Sequence, residues 1–256
     1  MASNIFDSHA HYNDRAFDID RDILLEKLPD MGVSYVVNIG ASMNDSEDIL
    51  DLVKKYDYIY GALGVHPDDA GKTPEGYIDT LERQILSEQK IRAVGEIGLD
   101  YHYDGYDKEA QKALFEEQLR LAKKLDMPVV IHSRDACEDT MQLLEKYAPS
   151  GVMHCFGYSA ETAKQVVKMG MYVGFTGVLT FKNAKKAIKA LKEVPLERLL
   201  LETDCPYMAP EPFRGKRSDS SMIEKTAEKA ADVYGLSVQE ILDITSNNAK
   251  RFYNIS

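Results

Sequence analysis

The sequence predicts a (β/α)8, TIM-like barrel formed by a single domain over residues 1–256. Strand-like and helix-like segments alternate about eight times along the chain, which is the count of such a barrel. The 256 residues, 44% of them hydrophobic, are sufficient for one large core. Polar side chains recur where the strand-like runs end. An open doubly wound sheet uses the same alternation and is the alternative fold.

The predicted strands are short runs of apolar and β-branched residues that end at polar or turn-forming residues. They begin with the apolar lead-in 5–6 to the segment 7–11 and continue at 33–39, 58–65, 91–97, 129–131, 151–153, 171–175 and 199–201. The predicted helices carry apolar residues at spacings of three and four. They cover 18–31, 44–56, 73–89, 108–125, 135–147, 159–169, 183–193, 221–234 and 237–245.

Two local features complete this assignment. The first helix is predicted from Ile19, Ile23, Leu24 and Leu28, which recur at helical spacing. Gly32 is expected to end that helix. The prolines in 206–220 predict a long loop after the eighth strand, and this loop is too short to divide domains.

Composition narrows the function classes. The net charge of −11 argues against a sequence-blind nucleic-acid coat, although it allows a local basic patch or a site where bound cations supply positive charge. The three cysteines, Cys137, Cys155 and Cys205, form no Cys-x-x-Cys motif, which favours a reducing compartment. No run approaches the roughly 20 apolar residues that cross a bilayer, and the N-terminus lacks a basic-then-apolar leader. We therefore expect a cytoplasmic protein without a membrane partner.

Five of the six histidines and two acids lie at or just past the ends of predicted strands. They are His9, His11, His66, Glu96, His132, His154 and Asp204. In a barrel these strand ends form one face, which carries the active site. Because side chains alternate along a strand, His9 and His11 are expected to point the same way and to bind one cation.

Each residue alone also has a structural interpretation. His66 precedes Pro67 and could be a turn residue, and His132 and His154 could be buried, hydrogen-bonded histidines. Asp100 is interpreted as a loop acid and His102 as a solvated loop residue.

The combination, however, indicates metal binding. Nitrogen and carboxylate ligands without cysteine suit zinc, manganese or magnesium. Because seven candidates exceed the needs of one ion, we predict two divalent metal ions, with Glu96 as the carboxylate that bridges them. Gly95 and Gly98 flank Glu96 and permit close backbone approach. Cys155 and Cys205 follow candidate ligands directly and are expected to pack away from the site.

Other chemistries lack their sequence motifs. The chain contains no Gly-x-Ser-x-Gly elbow of a serine hydrolase. It also contains no Gly-x-Gly-x-x-Gly after a strand and no Gly-x-x-x-x-Gly-Lys-Ser/Thr phosphate loop.

Taken together, these segments resemble the TatD family of metal-dependent deoxyribonucleases, in the amidohydrolase-like superfamily. The resemblance covers the whole chain. It is carried by Asp7-Ser8-His9-Ala10-His11, Gly64-Val65-His66-Pro67, Gly95-Glu96-Ile97-Gly98-Leu99-Asp100-Tyr101, Pro128-Val129-Val130-Ile131-His132-Ser133-Arg134, His154-Cys155-Phe156, Glu202-Thr203-Asp204-Cys205-Pro206-Tyr207 and Asn247-Asn248-Ala249-Lys250-Arg251-Phe252.

The resemblance implies a TIM-like barrel that hydrolyses DNA phosphodiesters, often as a 3′-to-5′ exonuclease on single strands or 3′ ends, and it favours a monomer. One metal would be held by His9, His11, Glu96 and Asp204. The second metal would be held by Glu96, His132 and His154. His66 and Arg134 match positions near the substrate phosphate. Many members carry Asn-Glu-Pro where this chain has Ser218-Asp219-Ser220, so substrate preference is open.

The mechanism expected is attack on phosphorus by water that two metal ions activate, with Glu96 as their bridge and Asp204 as general base. Basic residues of the loop after the eighth strand could track the DNA backbone or form a solvated surface: Arg214, Lys216 and Arg217. Three tyrosines could stack on bases or simply pack at the rim: Tyr101, Tyr103 and Tyr207.

Two other functions stay open. The same metals could hydrolyse an ester or amide, as in a D-aminoacyl-tRNA deacylase. A non-catalytic binding barrel is the third hypothesis, and the intact ligand set argues against it.

Overall fold

A computed structural model describes residues 2–256, and eight strands within that range form one sheet in chain order. They are β1 (Ile5–Ala10), β2 (Val33–Ile39), β3 (Ile59–Leu63), β4 (Ile91–Asp100), β5 (Val129–Arg134), β6 (Gly151–Met153), β7 (Tyr172–Phe175) and β8 (Leu199–Leu201). At the end of β1, Ala10 forms a parallel bridge with Cys205, which follows β8. The predicted (β/α)8 barrel is confirmed, and the sequential strand order excludes the doubly wound alternative.

Helices separate the strands. They are α1 (Arg21–Lys27), α2 (Asp45–Lys55), α3 (Tyr77–Ser87), α4 (Lys108–Leu125), α5 (Cys137–Tyr147), α6 (Ala160–Lys168), α7 (Lys185–Leu191), α8 (Ile223–Tyr234) and α9 (Val238–Phe252). Side-chain caps explain several starts. Asp107 accepts from Ala110 N at α4, Ser159 accepts from Thr162 N at α6, and Ser237 forms a capping box with Glu240 at α9.

The described chain divides into two compact units. The discontinuous unit comprises residues 1–38 and 155–256, and in it α9 packs on β1 and β8. The central unit comprises residues 39–154, and in it α4 packs on β4. That all 256 residues form a single domain stays a prediction. Within residues 2–256, no helix has both the length and the apolar character needed to cross a bilayer.

Burial around α1 follows the apolar spacing of the sequence only in part. Ile19 and Ile23 are 95% and 57% exposed, whereas Leu25 and Leu28 are fully buried. The helix is also shorter than predicted, because Pro29 begins a separate 3-10 turn that Gly32 ends in a left-handed conformation (φ 89°). Ile19 precedes α1, and Ile23 lies within the helix but on its exposed side.

The last helix, in contrast, is longer than predicted and runs to Phe252 instead of residue 245. Asn248 lowers helix propensity, but its buried side-chain amide donates to the carbonyls of Leu196 and Leu199 at 2.6 and 2.8 Å. These bonds fix α9 to the entry of β8, so tertiary contacts override the local preference.

Candidate metal centre

The first cluster of possible metal ligands lies in the discontinuous unit. The Nε2 atoms of His9 and His11 are 3.0 Å apart, as expected of side chains on one face of a strand. Asp204 Oδ1 lies 3.3 Å from His11 Nε2 and 3.7 Å from His9 Nε2. The His9 side chain is fully buried, and Asp204 occupies a left-handed backbone conformation (φ 60°). Two imidazole nitrogens and one carboxylate oxygen at these separations fit a divalent cation.

A buried carboxylate supports this cluster. Asp7 accepts hydrogen bonds from the Thr203 backbone N–H at 3.0 Å, the Thr203 hydroxyl at 2.6 Å, the Ser220 hydroxyl at 2.7 Å and His9 N–H at 3.3 Å. Since Thr203 precedes Asp204, Asp7 holds the backbone on both sides of this ligand set. Burial raises the pKa of Asp7 to about 6, although the hydrogen bonds from Thr203 and Ser220 oppose that shift.

The second cluster lies in the central unit. Glu96 Oε1 is 2.8 Å from His132 Nδ1 and 2.7 Å from His154 Nε2. The two imidazole nitrogens are 3.3 Å apart. Glu96 and His154 are buried, and the His132 side chain is 18% exposed. One carboxylate oxygen and two imidazole nitrogens again converge, and this donor set also fits a divalent cation.

Asp100 is a member of this second site that the sequence interpretation missed. It is 4% exposed, and Asp100 Oδ2 lies 3.0 Å from His132 Nε2. A carboxylate on the second nitrogen of a ligating histidine fixes the ring orientation and tautomer. The loop interpretation was wrong because β4 pairs with β5 as far as Asp100 and Arg134. The signal was present, since Glu96, Gly98 and Asp100 share one face at strand spacing.

Two glycines allow this part of the sheet to form. A Cβ at Gly98 (φ 149°) would lie 1.9 Å from the carbonyl oxygen of His132. A Cβ at Gly95 would lie 2.6 Å from Val130 Cβ. The close backbone approach expected around Glu96 is therefore present, and it sets the distance between the strands that carry Glu96 and His132.

The charges in the central cluster are strongly coupled. Burial disfavours a charged His132, but hydrogen bonds and attraction from Asp100 and Glu96 outweigh it and raise the pKa of His132 to about 10. Burial likewise disfavours ionised Asp100, yet its hydrogen bonds from His132 and His102 N–H leave the Asp100 pKa below its usual value. A cation bound at Nδ1 requires that nitrogen to be deprotonated, so metal binding here would release a proton.

His66 and Arg134 are also in the central unit. The His66 ring packs edge-on against His132 with centroids 4.4 Å apart, and His66 Nδ1 accepts from Asp68 N–H at 3.2 Å. Burial, with repulsion from His132, lowers the pKa of His66, which favours a neutral ring. Arg134 is exposed and lies two residues beyond His132 on β5.

The basic loop residues lie in the discontinuous unit. Arg217 donates to both carboxylate oxygens of Asp20, at 2.6 and 2.7 Å, and to the carbonyl of Ala16 at 2.8 Å. Its charge is therefore already paired. The Arg214 guanidinium lies 4.3 Å from the ring centroid of Phe181, and the residue is exposed. Of these two residues, Arg214 has the charge that is more accessible to a phosphate.

The segment Ser218-Asp219-Ser220 contacts Asp7, the buried carboxylate that supports the first cluster. The Ser220 hydroxyl donates to Asp7 and lies 2.7 Å from the hydroxyl of Tyr12, and Ser220 N–H donates to Tyr12 Oη at 2.9 Å. Proline, which the resemblance places at this position in many family members, has neither the hydroxyl nor the N–H donor. A serine at this position thus adds a hydrogen-bonded link between the loop and Asp7.

Glu202 is another buried acid that the site prediction omitted. Its carboxylate accepts from Cys155 N–H at 2.6 Å and from the Ser8 hydroxyl at 3.2 Å. A Cβ at Gly174 would lie 2.5 Å from Glu202 Oε2. Glu202 directly follows the apolar run 199–201, two residues before Asp204, which is the signal that could have identified it. Cys205 is fully buried.

The tyrosines differ in their surroundings. Tyr101 stacks on Tyr106 with centroids 4.7 Å apart and donates to Asp139 at 2.9 Å. Tyr103 is 60% exposed. Tyr207 is 56% exposed and donates to a carboxylate oxygen of Asp14 at 3.0 Å.

Comparison with known proteins identifies the family. Residues 6–254 match the family model described as TatD related DNase. The chain is 40% identical to the uncharacterized metal-dependent hydrolase YabD of Bacillus subtilis, over 98% of this chain and 100% of that protein. It is 34% identical to the uncharacterized metal-dependent hydrolase YcfH of Escherichia coli K12, over 98% of this chain and 96% of that protein.

Solved structures show the same relationship. The crystal structure of YjjV, a TatD homologue from Escherichia coli K12, matches with a TM-score of 0.94 at 29% identity, and the match covers 100% of both chains. A TatD family hydrolase from Entamoeba histolytica matches with a TM-score of 0.90 at 25% identity, again over 100% of both chains. With a family model that spans nearly the whole chain and side-chain clusters suited to divalent cations, this protein belongs to the TatD-related DNase family and is a metal-dependent hydrolase.

Proposed function

We propose that this protein hydrolyses phosphodiester bonds of DNA, as a 3′-to-5′ exonuclease that acts on single strands or 3′ ends. The observation that carries the proposal is the pair of clusters found within residues 2–256, each of which offers two imidazole nitrogens and a carboxylate oxygen within 4 Å of one another. The family model adds the substrate class.

Each cluster would hold one divalent ion, either zinc, manganese or magnesium. The ligands would be His9, His11 and Asp204 in the first cluster and Glu96, His132 and His154 in the second. Bound there, the ions would supply Lewis acidity that lowers the pKa of water and neutralises charge on phosphate. That Glu96 serves both ions stays a prediction.

The protein's own groups would position the substrate and move the proton. Asp204, with 14% of its side chain exposed, would accept the proton of the attacking water. His66 and Arg134 would hold phosphoryl oxygens, His66 as a neutral hydrogen-bond donor and Arg134 as a charge-assisted one. Arg214 would contact the backbone further from the reacting phosphate, and Arg217 could do so only by exchanging Asp20 for a phosphate.

The experiment that tests this proposal compares substrates with the metal-loaded enzyme. Single-stranded DNA labelled at its 5′ end should be shortened stepwise from the 3′ end with added Mn²⁺, Mg²⁺ or Zn²⁺, and chelation should abolish the reaction. Charged tRNA is the second substrate. Release of amino acid, without nucleotides from DNA, would replace the nuclease proposal with ester hydrolysis. Activity on neither substrate would also contradict it. Monomeric state and cytoplasmic location remain predictions.

A further inference from the structure

The loop that follows β4 is anchored to the central cluster. Asp100 uses one carboxylate oxygen for His132 and the other for the backbone N–H of His102, at 3.0 and 2.9 Å. Tyr101 N–H donates to the carbonyl of Arg134 at 2.9 Å. The backbone of 101–103 is therefore fixed to the strand that carries His132, although its side chains reach the surface.

Tyr103 is the residue that this loop presents. Its side chain is 60% exposed, and its ring contacts two neighbouring side chains. The Arg134 guanidinium lies 5.2 Å from the ring centroid and donates to the Tyr103 hydroxyl at 3.3 Å. The His102 ring packs edge-on, with centroids 5.0 Å apart at 79°, and His102 Nδ1 is 2.7 Å from Asp135.

These contacts leave Tyr103 suited to one kind of ligand. Its hydroxyl and one side of its ring are engaged by Arg134, while most of the side chain faces solvent. A flat π-face beside a guanidinium binds a nucleobase by stacking and leaves the cation for an adjacent phosphate. Along an extended strand, Arg134 lies only about 6.6 Å beyond His132. One nucleotide can thus reach from the metal cluster to the ring.

We propose that Tyr103 forms the stacking subsite for the base of the nucleotide at the 3′ end of the substrate. This inference rests on the proposed function, since it assumes that a nucleic-acid phosphate is bound at the central cluster. Stacking on an aromatic ring accepts any base, because every base has a π-face. The subsite therefore gives affinity for a nucleotide without sequence preference.

The kinetic test uses two single-stranded oligonucleotides that differ only at the 3′-terminal residue, which carries either a base or an abasic tetrahydrofuran. In Tyr103→Ala, KM for the base-bearing substrate should rise about tenfold, the effect of losing one base stack, while kcat stays within about twofold. KM for the abasic substrate should not change. Tyr103→Phe should behave as the wild type. Tyr106→Ala, on the same loop, is the matched control and should treat both substrates as the wild type does.

A spectroscopic test does not depend on turnover. A 3′-terminal 2-aminopurine should lose fluorescence when the oligonucleotide binds to the wild type or Tyr103→Phe, but not when it binds to Tyr103→Ala. The chain contains no tryptophan, so the protein contributes little background. In the kinetic test, an equal rise in KM of Tyr103→Ala for the base-bearing and abasic oligonucleotides, or no rise for either, would overturn the inference while leaving the nuclease proposal in place. If the wild type cleaves neither oligonucleotide, both the Tyr103 inference and the nuclease proposal are overturned.

Discussion

The two ligand clusters are supported in different ways. In the discontinuous unit, Asp7 bonds to the backbone and hydroxyl of Thr203 and to Ser220, so it holds the chain segments that carry the ligands. In the central unit, Asp100 bonds to the imidazole of His132 itself. The first arrangement fixes where the backbone lies, and the second fixes how the His132 ring is turned and which of its nitrogens would face a bound cation.

This difference shows that a buried carboxylate can support a site in two ways, by holding the backbone or by holding a side chain of the site. A buried carboxylate with only neutral donors stabilises the fold around the ligands. A buried carboxylate on a ligand imidazole also tunes the ligand's basicity. Substitutions that weaken the support of the first cluster should therefore lower stability, whereas substitutions that weaken the support of the central cluster should lower metal affinity.

The largest effect is expected from removing a ligand of the central cluster. Glu96→Ala should lower kcat/KM by roughly a thousandfold or more, since it removes a carboxylate whose oxygen contacts both cluster histidines. Elemental analysis should show less bound metal, and if Glu96 bridges the ions, the content of both should fall. Full turnover by this variant would refute the assignment of Glu96.

The next effect concerns Asp204, the proposed proton acceptor in the first cluster. Asp204→Asn should lower kcat by about 10²–10⁴-fold with little change in KM, because an amide cannot accept the proton of water. Steady-state kinetics on the labelled single strand would measure it. A large rise in KM with unchanged kcat would assign Asp204 to substrate binding instead.

Asp100→Asn tests directly whether the carboxylate of the central cluster acts on metal affinity. Without the carboxylate on Nε2, His132 should bind metal more weakly by about 10–100-fold, with a smaller effect on the metal-free fold. Competition titration with a chelating dye would give the affinities, and Asp104→Asn, in the exposed part of the same loop, is the control. Unchanged metal affinity would show that Asp100 does not tune its neighbour.

The smallest effect is expected from Ser220→Ala. It removes one donor to Asp7 and one partner of Tyr12, which should cost about 1–3 kcal/mol of unfolding free energy. Denaturant unfolding of the metal-free protein would measure this, with Ser221→Ala, whose hydroxyl bonds only locally to Asp219, as the control. A loss of metal affinity without a loss of stability would place Ser220 in the same class as Asp100.

The sequence was sufficient to predict the features that depend on the alternation of strands and helices and on the alternation of side chains along a strand. The (β/α)8 barrel follows from the repeated strand and helix segments, and the proximity of His9 to His11 follows from strand periodicity. Asp100 was missed because the strand was taken to end at residue 97, whereas pairing with β5 continues to Arg134. Pairing of this kind depends on the neighbouring strand and on the space that Gly98 leaves.

Packing decided the other differences. Ile19 and Ile23 fitted the same helical spacing as Leu28, but only Leu28 of these three is buried, and Leu25, outside that set, is buried as well. The extension of α9 depends on carbonyls of Leu196 and Leu199 that are far away in sequence. Such partners are visible only once the chain is folded.

The contact at Gly98 has a dynamic consequence. Because Gly98 has no side chain, the backbones of β4 and β5 lie close together at His132, and we expect thermal displacement of one strand to be transmitted to the other. We therefore expect Glu96 and His132 to move together, so that the distance between their possible metal-ligating atoms varies less than the position of either strand.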